Sequence, residues 1–250
     1  MYPKEVIDQF KAHAVAAFPE EACGLIVGSD AINCKYMPCA NVADMPTEDF
    51  RVKAEDYVVA AEQGEVLALL HSHVNKKDYP SGLDMQNQMK SGMPWGIAVV
   101  SVDESNPDSE PSCSEPFFFG DQVPIAPLVG RPFRHGVWDC YSLVRDYFRL
   151  EKGIVFPDKP RDFQWWLNGQ SLYLDYFKET GFVMIDPEDA VPGDCVLMQI
   201  HPSPVPCHGG VYLEDGLLLH HLQWRLSRRE AIHPWSRKIS HWLRYEGGSK

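Results

Sequence analysis

Hydrophobic positions in the first hundred residues alternate between helical and strand spacing. Over residues 5–17 apolar side chains recur at helical intervals, which predicts an amphipathic helix. A second helix is predicted to begin after Ser81, a good N-cap residue, and to end near Gly92. Short apolar runs predict three buried strands, at residues 22–28, 66–74 and 95–102. The alternation of helices and strands favours an α/β domain.

The pattern changes at residue 104 and again near residue 128. Residues 104–127 contain five prolines and show no periodicity, which predicts a linker whose Phe117–Phe119 run docks on a domain. A helix is then predicted from Cys140 to about Lys152, followed by a Trp-rich helical segment. Strands are predicted at residues 195–200, 210–213 and 217–221. We therefore predict an α/β domain at 1–103, a linker at 104–127 and an α+β domain at 128–250.

Charge separates the two halves of the chain. Residues 1–125 hold 8 Lys and Arg against 20 Asp and Glu, whereas residues 126–250 hold 15 of each. Neither half is basic, so we expect no nucleic-acid partner. No apolar run approaches the roughly 20 residues of a membrane span, and the absence of a signal-peptide pattern predicts synthesis in the cytosol. The seven cysteines contain no CxxC pair, so a disulfide framework is not expected.

The predicted strand at residues 66–74 ends in two histidines separated by one serine. Side chains two apart on a strand share a face, so His71 and His73 present two imidazoles to one ion while Ser72 faces away. Asp84 falls in the first turn of the helix after Ser81 and supplies a third ligand. Two histidines and a carboxylate suit Zn²⁺ and leave a fourth position open for water.

The pattern H-S-H, seven residues, S, two residues, D resembles the signature of the JAMM (Mov34/MPN-type) metallopeptidases over residues 3–103. The resemblance implies that Zn²⁺ is bound by His71, His73 and Asp84. It also implies that Glu21, in a Glu-x-x-Gly context, is the general acid/base and that Ser81 stabilises the tetrahedral intermediate. Glu20 is the adjacent alternative, and the Glu-x-x-Gly spacing favours Glu21.

Cys140 has the most distinctive surroundings of the cysteines. It begins a predicted helix, where the helix dipole is expected to lower the pKa of the thiol. A cysteine nucleophile needs an imidazole partner, and His208, followed by two glycines and a strand, is the best candidate. His220, at the end of the next apolar run, is the candidate for orienting that imidazole. A buried structural cysteine is the alternative.

The segment around Cys140 resembles the NlpC family of papain-like cell-wall peptidases over residues 126–245. The shared elements are Gly-Arg-Pro-Phe, Trp-Asp-Cys-Tyr-Ser-Leu-Val, Pro-Gly-Asp at 192–194 and His-Gly-Gly-Val-Tyr-Leu at 208–213. The resemblance implies that Cys140 is the nucleophile, His208 the base and His220 the orienting group.

Three departures from the NlpC pattern stand out. Phe133 occupies the place of a usual tyrosine, so a hydroxyl near the oxyanion site is lost. Tyr141-Ser142 replaces the more usual Ser-Gly after the cysteine. His221, beside His220, is an alternative third residue.

The two domains together in one chain resemble the phage tail assembly protein K family. This resemblance implies a zinc- and cysteine-dependent hydrolase that cuts the stem peptides of peptidoglycan. Other tail-tip proteins would be its partners. It would be synthesised in the host cytoplasm and associate with the virion tail tip. Two alternatives stay open, a structural tail-assembly factor with lapsed catalysis and a cellular JAMM enzyme that processes a ubiquitin-like or sulfur-carrier protein.

Overall fold

The computed structural model describes residues 2–75, 78–103, 105–106 and 109–247. The chain divides into two compact units. The first comprises Met1–Pro80 and Asn87–Pro124, and the second comprises Ser81–Gln86 and Ile125–Lys250. Among the described residues, no helix is both long and apolar enough to cross a membrane.

Up to residue 124, helices alternate with the strands of a mixed sheet. The elements are α1 (Lys4–Ala17), β1 (Cys23–Gly28), β2 (Cys34–Cys39), α2 (Ala54–Gln63), β3 (Glu65–Val74), α3 (Gly82–Ser91), β4 (Trp95–Ser101), β5 (Ser112–Cys113) and β6 (Phe117–Phe119). The strand order is β2-β1-β3-β4-β5, with β6 also paired to β4. Only β3 and β4 run parallel among the described pairs. This mixed sheet with helices confirms the predicted α/β class.

The amphipathic pattern of α1 decides which of its faces meets the sheet. The helix buries Val6, Ile7, Phe10 and Ala14, which lie at the spacing of one helical stripe. This stripe packs with apolar residues of the strands into one core cluster. The central strand β1 is buried along nearly its whole length, as expected for a strand with neighbours on both edges.

The segment predicted to be a linker contributes two strands to this sheet, and its Phe117–Phe119 run packs on the first unit. In β6, Phe119 pairs with Trp95 and Phe118 with Gly96. A Cβ on Gly96 would lie 2.8 Å from the Phe118 ring, so glycine is what admits that ring. Phe118 also contacts the ring of Tyr2 at 5.3 Å. The run is too short to show periodicity in the sequence, although Phe117 and Phe119 share one buried face of the strand and Phe118 points to the other.

Helices precede most of the strands in the second unit. The elements are α4 (Cys140–Tyr147), a π-helical turn (Phe148–Lys152), α5 (Leu172–Tyr176), β7 (Phe182–Ile185), β8 (Cys195–Met198), β9 (His208–Leu213), β10 (Leu217–His220), β11 (Arg228–Ala231) and β12 (Ile239–Tyr245). Short 3₁₀ turns lie at Trp165–Asn168, Pro187–Asp189, Glu214–Gly216 and His233–Trp235. The strands form an antiparallel sheet in the order β11-β10-β9-β8-β12-β7. This arrangement confirms the predicted α+β class.

Aromatic side chains form much of the second core. Phe148 packs its ring against Phe156 at 4.9 Å and against Phe182 at 5.5 Å, and Tyr245 closes the group. Leu143 of α4 is fully buried in the same core. The buried face of α4 thus packs this helix against the sheet, and Cys140 is the first residue of the helix.

We predict that Phe119→Ala destabilises the first unit by about 3 kcal/mol, because it leaves a cavity beside Trp95 in a buried site. Urea unfolding of the full chain measures the loss, and native-state hydrogen exchange over residues 95–101 locates it. Ile32→Ala is the control, since Ile32 is 77% exposed and its loss is expected to change stability by less than about 0.5 kcal/mol. Equal effects of the two variants would contradict the assignment of β6 to the core.

Candidate functional site

Three side chains of the first site converge as the sequence predicts. His71 and His73 lie on β3 and Asp84 in the first turn of α3, and all three are buried. Their candidate ligand atoms, imidazole nitrogens and a carboxylate oxygen, all lie within 4.8 Å of one another. Within the described part of the chain, this is the group that can hold a metal ion.

The spacing of the two imidazoles fits a tetrahedral ion. The Nε2 atoms of His71 and His73 are 3.2 Å apart. Two nitrogens bound to Zn²⁺ at about 2.0–2.1 Å and at a tetrahedral angle would be separated by about 3.3 Å. A third ligand from Asp84 completes a set that leaves one position open. The donor chemistry and the spacing therefore both fit Zn²⁺.

Ser81 and Asp84 form a reciprocal cap at the start of α3. The Asp84 N–H donates to Ser81 Oγ at 3.0 Å, and the Ser81 N–H donates to Asp84 Oδ2 at 2.8 Å. The Ser81 hydroxyl also donates to Oδ2, at 2.7 Å. This capping box satisfies donors at the helix start and holds the carboxylate in place. Ser81 thus orients the third candidate ligand.

Strand register carries Glu21 towards the histidines. Cys23 pairs with His71, and the Ser72 N–H donates to the Ala22 carbonyl at 2.9 Å, which continues the same register. If this register continues for one more residue, Glu21 faces His73. Glu21 is 3% exposed, whereas its neighbour Glu20 is exposed. Its burial favours Glu21 over the exposed Glu20 as the candidate acid/base.

The second site begins at the N-cap of α4. Both Asp139 carboxylate oxygens accept hydrogen bonds, Oδ1 from the Ser142 N–H at 2.9 Å and Oδ2 from the Gly136 N–H at 2.9 Å. Arg161 forms a two-pronged ion pair with the same carboxylate, at 2.8 and 3.1 Å. Burial opposes the charge of Asp139, but Arg161 outweighs it and holds the pKa of this carboxyl below its usual value. The cap thereby fixes the backbone at Cys140, the first residue of α4.

The expectation of a lowered thiol pKa at Cys140 is wrong for this structure. Burial, followed by the negative charge of Asp139, raises the pKa of the thiol to about 11. Hydrogen bonds from Tyr173 and from the Gly209 N–H act in the opposite direction but are outweighed. Cys140 therefore rests as a neutral thiol and needs a base to ionise it.

His208 and His220 lie in hydrogen-bond contact. Nε2 of His208, at the start of β9, is 3.0 Å from Nδ1 of His220, at the end of β10. His221 instead places its Nε2 3.1 Å from the Arg225 carbonyl oxygen. Burial, followed by the neighbouring histidines, lowers the pKa of His208 to about 3, so its ring is neutral near pH 7. The geometry favours His220 over His221 as the orienting group.

Cys140 and His208 line one cavity of about 120 Å³ within the second unit. Tyr173 of α5 also lines it and places its hydroxyl 3.1 Å from the Cys140 sulfur. A Cβ on Gly209 would lie 3.2 Å from that hydroxyl, so the glycine after His208 allows the tyrosine to approach closely. A tyrosine hydroxyl therefore lies beside Cys140, although it comes from Tyr173 and not from position 133.

Two protein-family models match the chain, one in each half. The model of prokaryotic homologs of the JAB domain matches residues 3–112, and the NlpC/P60 family model matches residues 130–244. These matches confirm both domain resemblances and their order along the chain.

Tail tip assembly protein K of Escherichia phage N15 is 36% identical over 230 residues, which cover 90% of this chain and 88% of that protein. The protein of the same name from Escherichia phage lambda is 40% identical over 185 residues, which cover 74% and 84%. The chain belongs to the tail tip assembly protein K family. A solved NlpC/P60 family protein from Bacillus cereus ATCC 10987 is 12% identical over 99% of this chain and 68% of that chain, at a TM-score of 0.35, and the family assignment does not depend on it.

In this tail tip assembly protein K family member, several residues around the two sites were not predicted from the sequence. Phe50 stacks on His71 with ring centroids 4.2 Å apart, and Arg161 and Tyr173 contact Asp139 and Cys140. Glu230 of β11 accepts from His220. None carries a local motif, and only three-dimensional pairing brings them to the sites.

We predict that Asp84→Ala weakens Zn²⁺ binding by at least about 100-fold, because loss of a residue that only supports a ligand costs about 10–100-fold and Asp84 is a candidate for direct ligation. Competition with a chromophoric chelator measures the affinity, and circular dichroism checks the fold. Glu62→Ala, on the exposed face of α2, is the matched control. Stoichiometric, tightly held zinc in Asp84→Ala would refute the ligand assignment.

We predict that Tyr173→Phe raises the thiol pKa of Cys140 further, because it removes a hydrogen bond that stabilises the thiolate. The rate of Cys140 alkylation at a fixed pH should therefore fall, and its pH profile should move to higher pH. Tyr176→Phe is the control, because Tyr176 lines the same cavity. An unchanged profile in Tyr173→Phe would show that the hydroxyl does not act on the sulfur.

Proposed function

We propose that this chain is a phage tail-tip assembly protein with peptidase activity. Its second domain would hydrolyse peptidoglycan stem peptides through Cys140 and His208, and its first domain would hold a zinc-dependent peptidase or isopeptidase site. The observation that carries the proposal is that Cys140 and His208 line one cavity, with Nε2 of His208 in hydrogen-bond contact with Nδ1 of His220.

The cysteine reaction follows from what each residue can donate or accept. Cys140 is a neutral thiol, so His208 would take its proton as the sulfur attacks a peptide carbonyl carbon. The imidazolium would then return that proton to the leaving amine, and water would release the acyl group from the sulfur. The backbone N–H of Cys140 is at the first position of α4, where no intrahelical carbonyl accepts it. That N–H and the Tyr173 hydroxyl can stabilise the oxyanion.

In the first domain, His71, His73 and Asp84 would hold Zn²⁺. When bound, the ion supplies Lewis-acid polarisation of a carbonyl and a water nucleophile at neutral pH. Glu21 would accept the proton from that water and deliver it to the leaving amine. Ser81 would keep the ligand oriented through its backbone N–H, which donates to Asp84, and would turn its single hydroxyl proton from Asp84 to the tetrahedral intermediate.

The setting of this chemistry comes from the relatives. The two similar phage proteins are named as tail tip assembly proteins, which supports a place for this chain in tail-tip assembly beside other tail proteins. Production in the host cytoplasm followed by association with the tail tip fits that role. An NlpC/P60 domain supports peptidoglycan peptides as the substrate of the second domain.

Digestion of purified peptidoglycan tests the proposal. Wild type, Cys140→Ala and Glu21→Ala are incubated side by side, and the released peptides are identified by mass spectrometry. We expect wild type and Glu21→Ala to release stem peptides, and Cys140→Ala to lose at least about 10³-fold in rate, because a nucleophile is removed. Thermal melting of each variant controls for folding.

Other outcomes would redirect the assignment. No release by wild type would favour a structural assembly factor with lapsed catalysis. Loss of release in Glu21→Ala but not in Cys140→Ala would transfer the wall hydrolase to the zinc domain.

A further inference from the structure

A line of hydrogen bonds crosses three adjacent strands of the second sheet. It runs from His208 on β9 to His220 on β10 at 3.0 Å, and from Nε2 of His220 to Oε1 of Glu230 on β11 at 2.8 Å. The Trp235 indole N–H also donates to that Glu230 oxygen, at 3.0 Å. His220 is fully buried, so this line is shielded from solvent along its centre.

The direction of each hydrogen bond follows from the carboxylate at one end. An ionised carboxylate can only accept, so Nε2 of His220 must carry the proton that it shares with Glu230. In a neutral imidazole the other nitrogen, Nδ1, then accepts, and it must accept from Nε2–H of His208. This leaves Nδ1 of His208 without a proton. His208 is thereby held in the one neutral tautomer in which Nδ1 can act as the base.

The charges around this line are consistent with that arrangement. Burial raises the pKa of Glu230, but the hydrogen bond and charge of His220, the Trp235 N–H and Arg228 together hold it below the usual value. Arg228 Nη1 lies 3.6 Å from the second oxygen of Glu230. Burial lowers the pKa of His220 despite Glu230, while His221 and Asp139 are the other charged groups that act on His208. Near pH 7, Glu230 is therefore ionised and both histidines are neutral.

We propose that Glu230 is a positioning residue that sets the tautomers of His220 and His208 and stabilises the imidazolium that forms when Cys140 gives up its proton. The proton passes from the Cys140 thiol to Nδ1 of His208, and Glu230 stays ionised throughout. This inference rests on the proposed role of Cys140 and His208.

The tautomers can be read without any substrate. In full-length protein labelled with ¹⁵N-histidine, long-range ¹H–¹⁵N correlation distinguishes protonated from bare imidazole nitrogens. At pH 7.5 we expect His208 and His220 each to show a protonated Nε2 and a bare Nδ1. Glu230→Gln keeps an acceptor oxygen and should keep these tautomers. Glu230→Leu removes the acceptor, so His220 should then show a mixture of its two neutral tautomers. A protonated Nδ1 on His220 in wild type would overturn the proposal.

Alkylation of Cys140 by iodoacetamide measures the effect of the charge. A fall of one unit in the pKa of the His208 imidazolium lowers the population of the ionised Cys140–His208 pair about tenfold. We therefore expect Glu230→Gln to slow alkylation at pH 7.5 by about tenfold. Glu230→Leu should slow alkylation further, and His208→Ala gives the rate of Cys140 alkylation without the base. Glu188→Gln, at an exposed glutamate of the same domain, is the matched control. Rates within twofold of wild type for both Glu230 variants would overturn the proposal.

These readouts separate this inference from the proposed function. If wild type releases no stem peptides but shows the expected tautomers and the expected alkylation rates, the substrate assignment fails and the role of Glu230 stands. If His208→Ala alkylates as fast as wild type while the tautomers are as expected, the pairing of Cys140 with His208 fails. In that case Glu230 would still set the two tautomers, but its stabilisation of an imidazolium formed by proton transfer from Cys140 would be overturned.

Discussion

The buried ion pair between Asp139 and Arg161 determines where the second site lies. Asp139 caps α4. Its carboxylate also forms a hydrogen-bonded ion pair with Arg161, which lies 22 residues further along the chain. Both side chains are about 5% exposed or less, so loss of either partner would leave a buried charge at a cost of about 3–5 kcal/mol. Because Cys140 follows Asp139 directly, the position of its sulfur is set by this pair. The cavity, the tyrosine contact and the approach of β9 all depend on that position.

Strand register has the same importance in the first domain. Pairing of Cys23 with His71 aligns β1 with β3, and reciprocal bonds between Ala22 and Ser72 extend the alignment. A slip of one residue would turn the histidine face of β3 to the other side of the sheet relative to Glu21. The two candidate histidine ligands are thus placed by the sheet, whereas Asp84 is placed by a helix cap.

The parts that sequence reasoning predicted are those with local signals. The histidine pair, the Ser81 cap and Cys140 at a helix start each show in a short stretch of sequence, and the structure places them accordingly. The strands of the predicted linker were missed because Phe117–Phe119 is too short to show a period and lies among prolines. The thiol pKa was predicted in the wrong direction because the helix dipole is local, whereas burial comes from distant elements. Glu230 and Tyr173 could not be predicted, since each meets its site only through sheet pairing or helix packing.

The raised thiol pKa of Cys140 also bears on chemical durability. Peroxides oxidise the thiolate far faster than the thiol, so a cysteine that rests protonated is a slow target for conversion to sulfenic acid. Under the proposed mechanism, Cys140 would therefore rest in a form that resists oxidation where no reductant is present to restore it. Activation by His208, in place of a permanently ionised sulfur, would confine the reactivity of Cys140 to the moment of proton transfer.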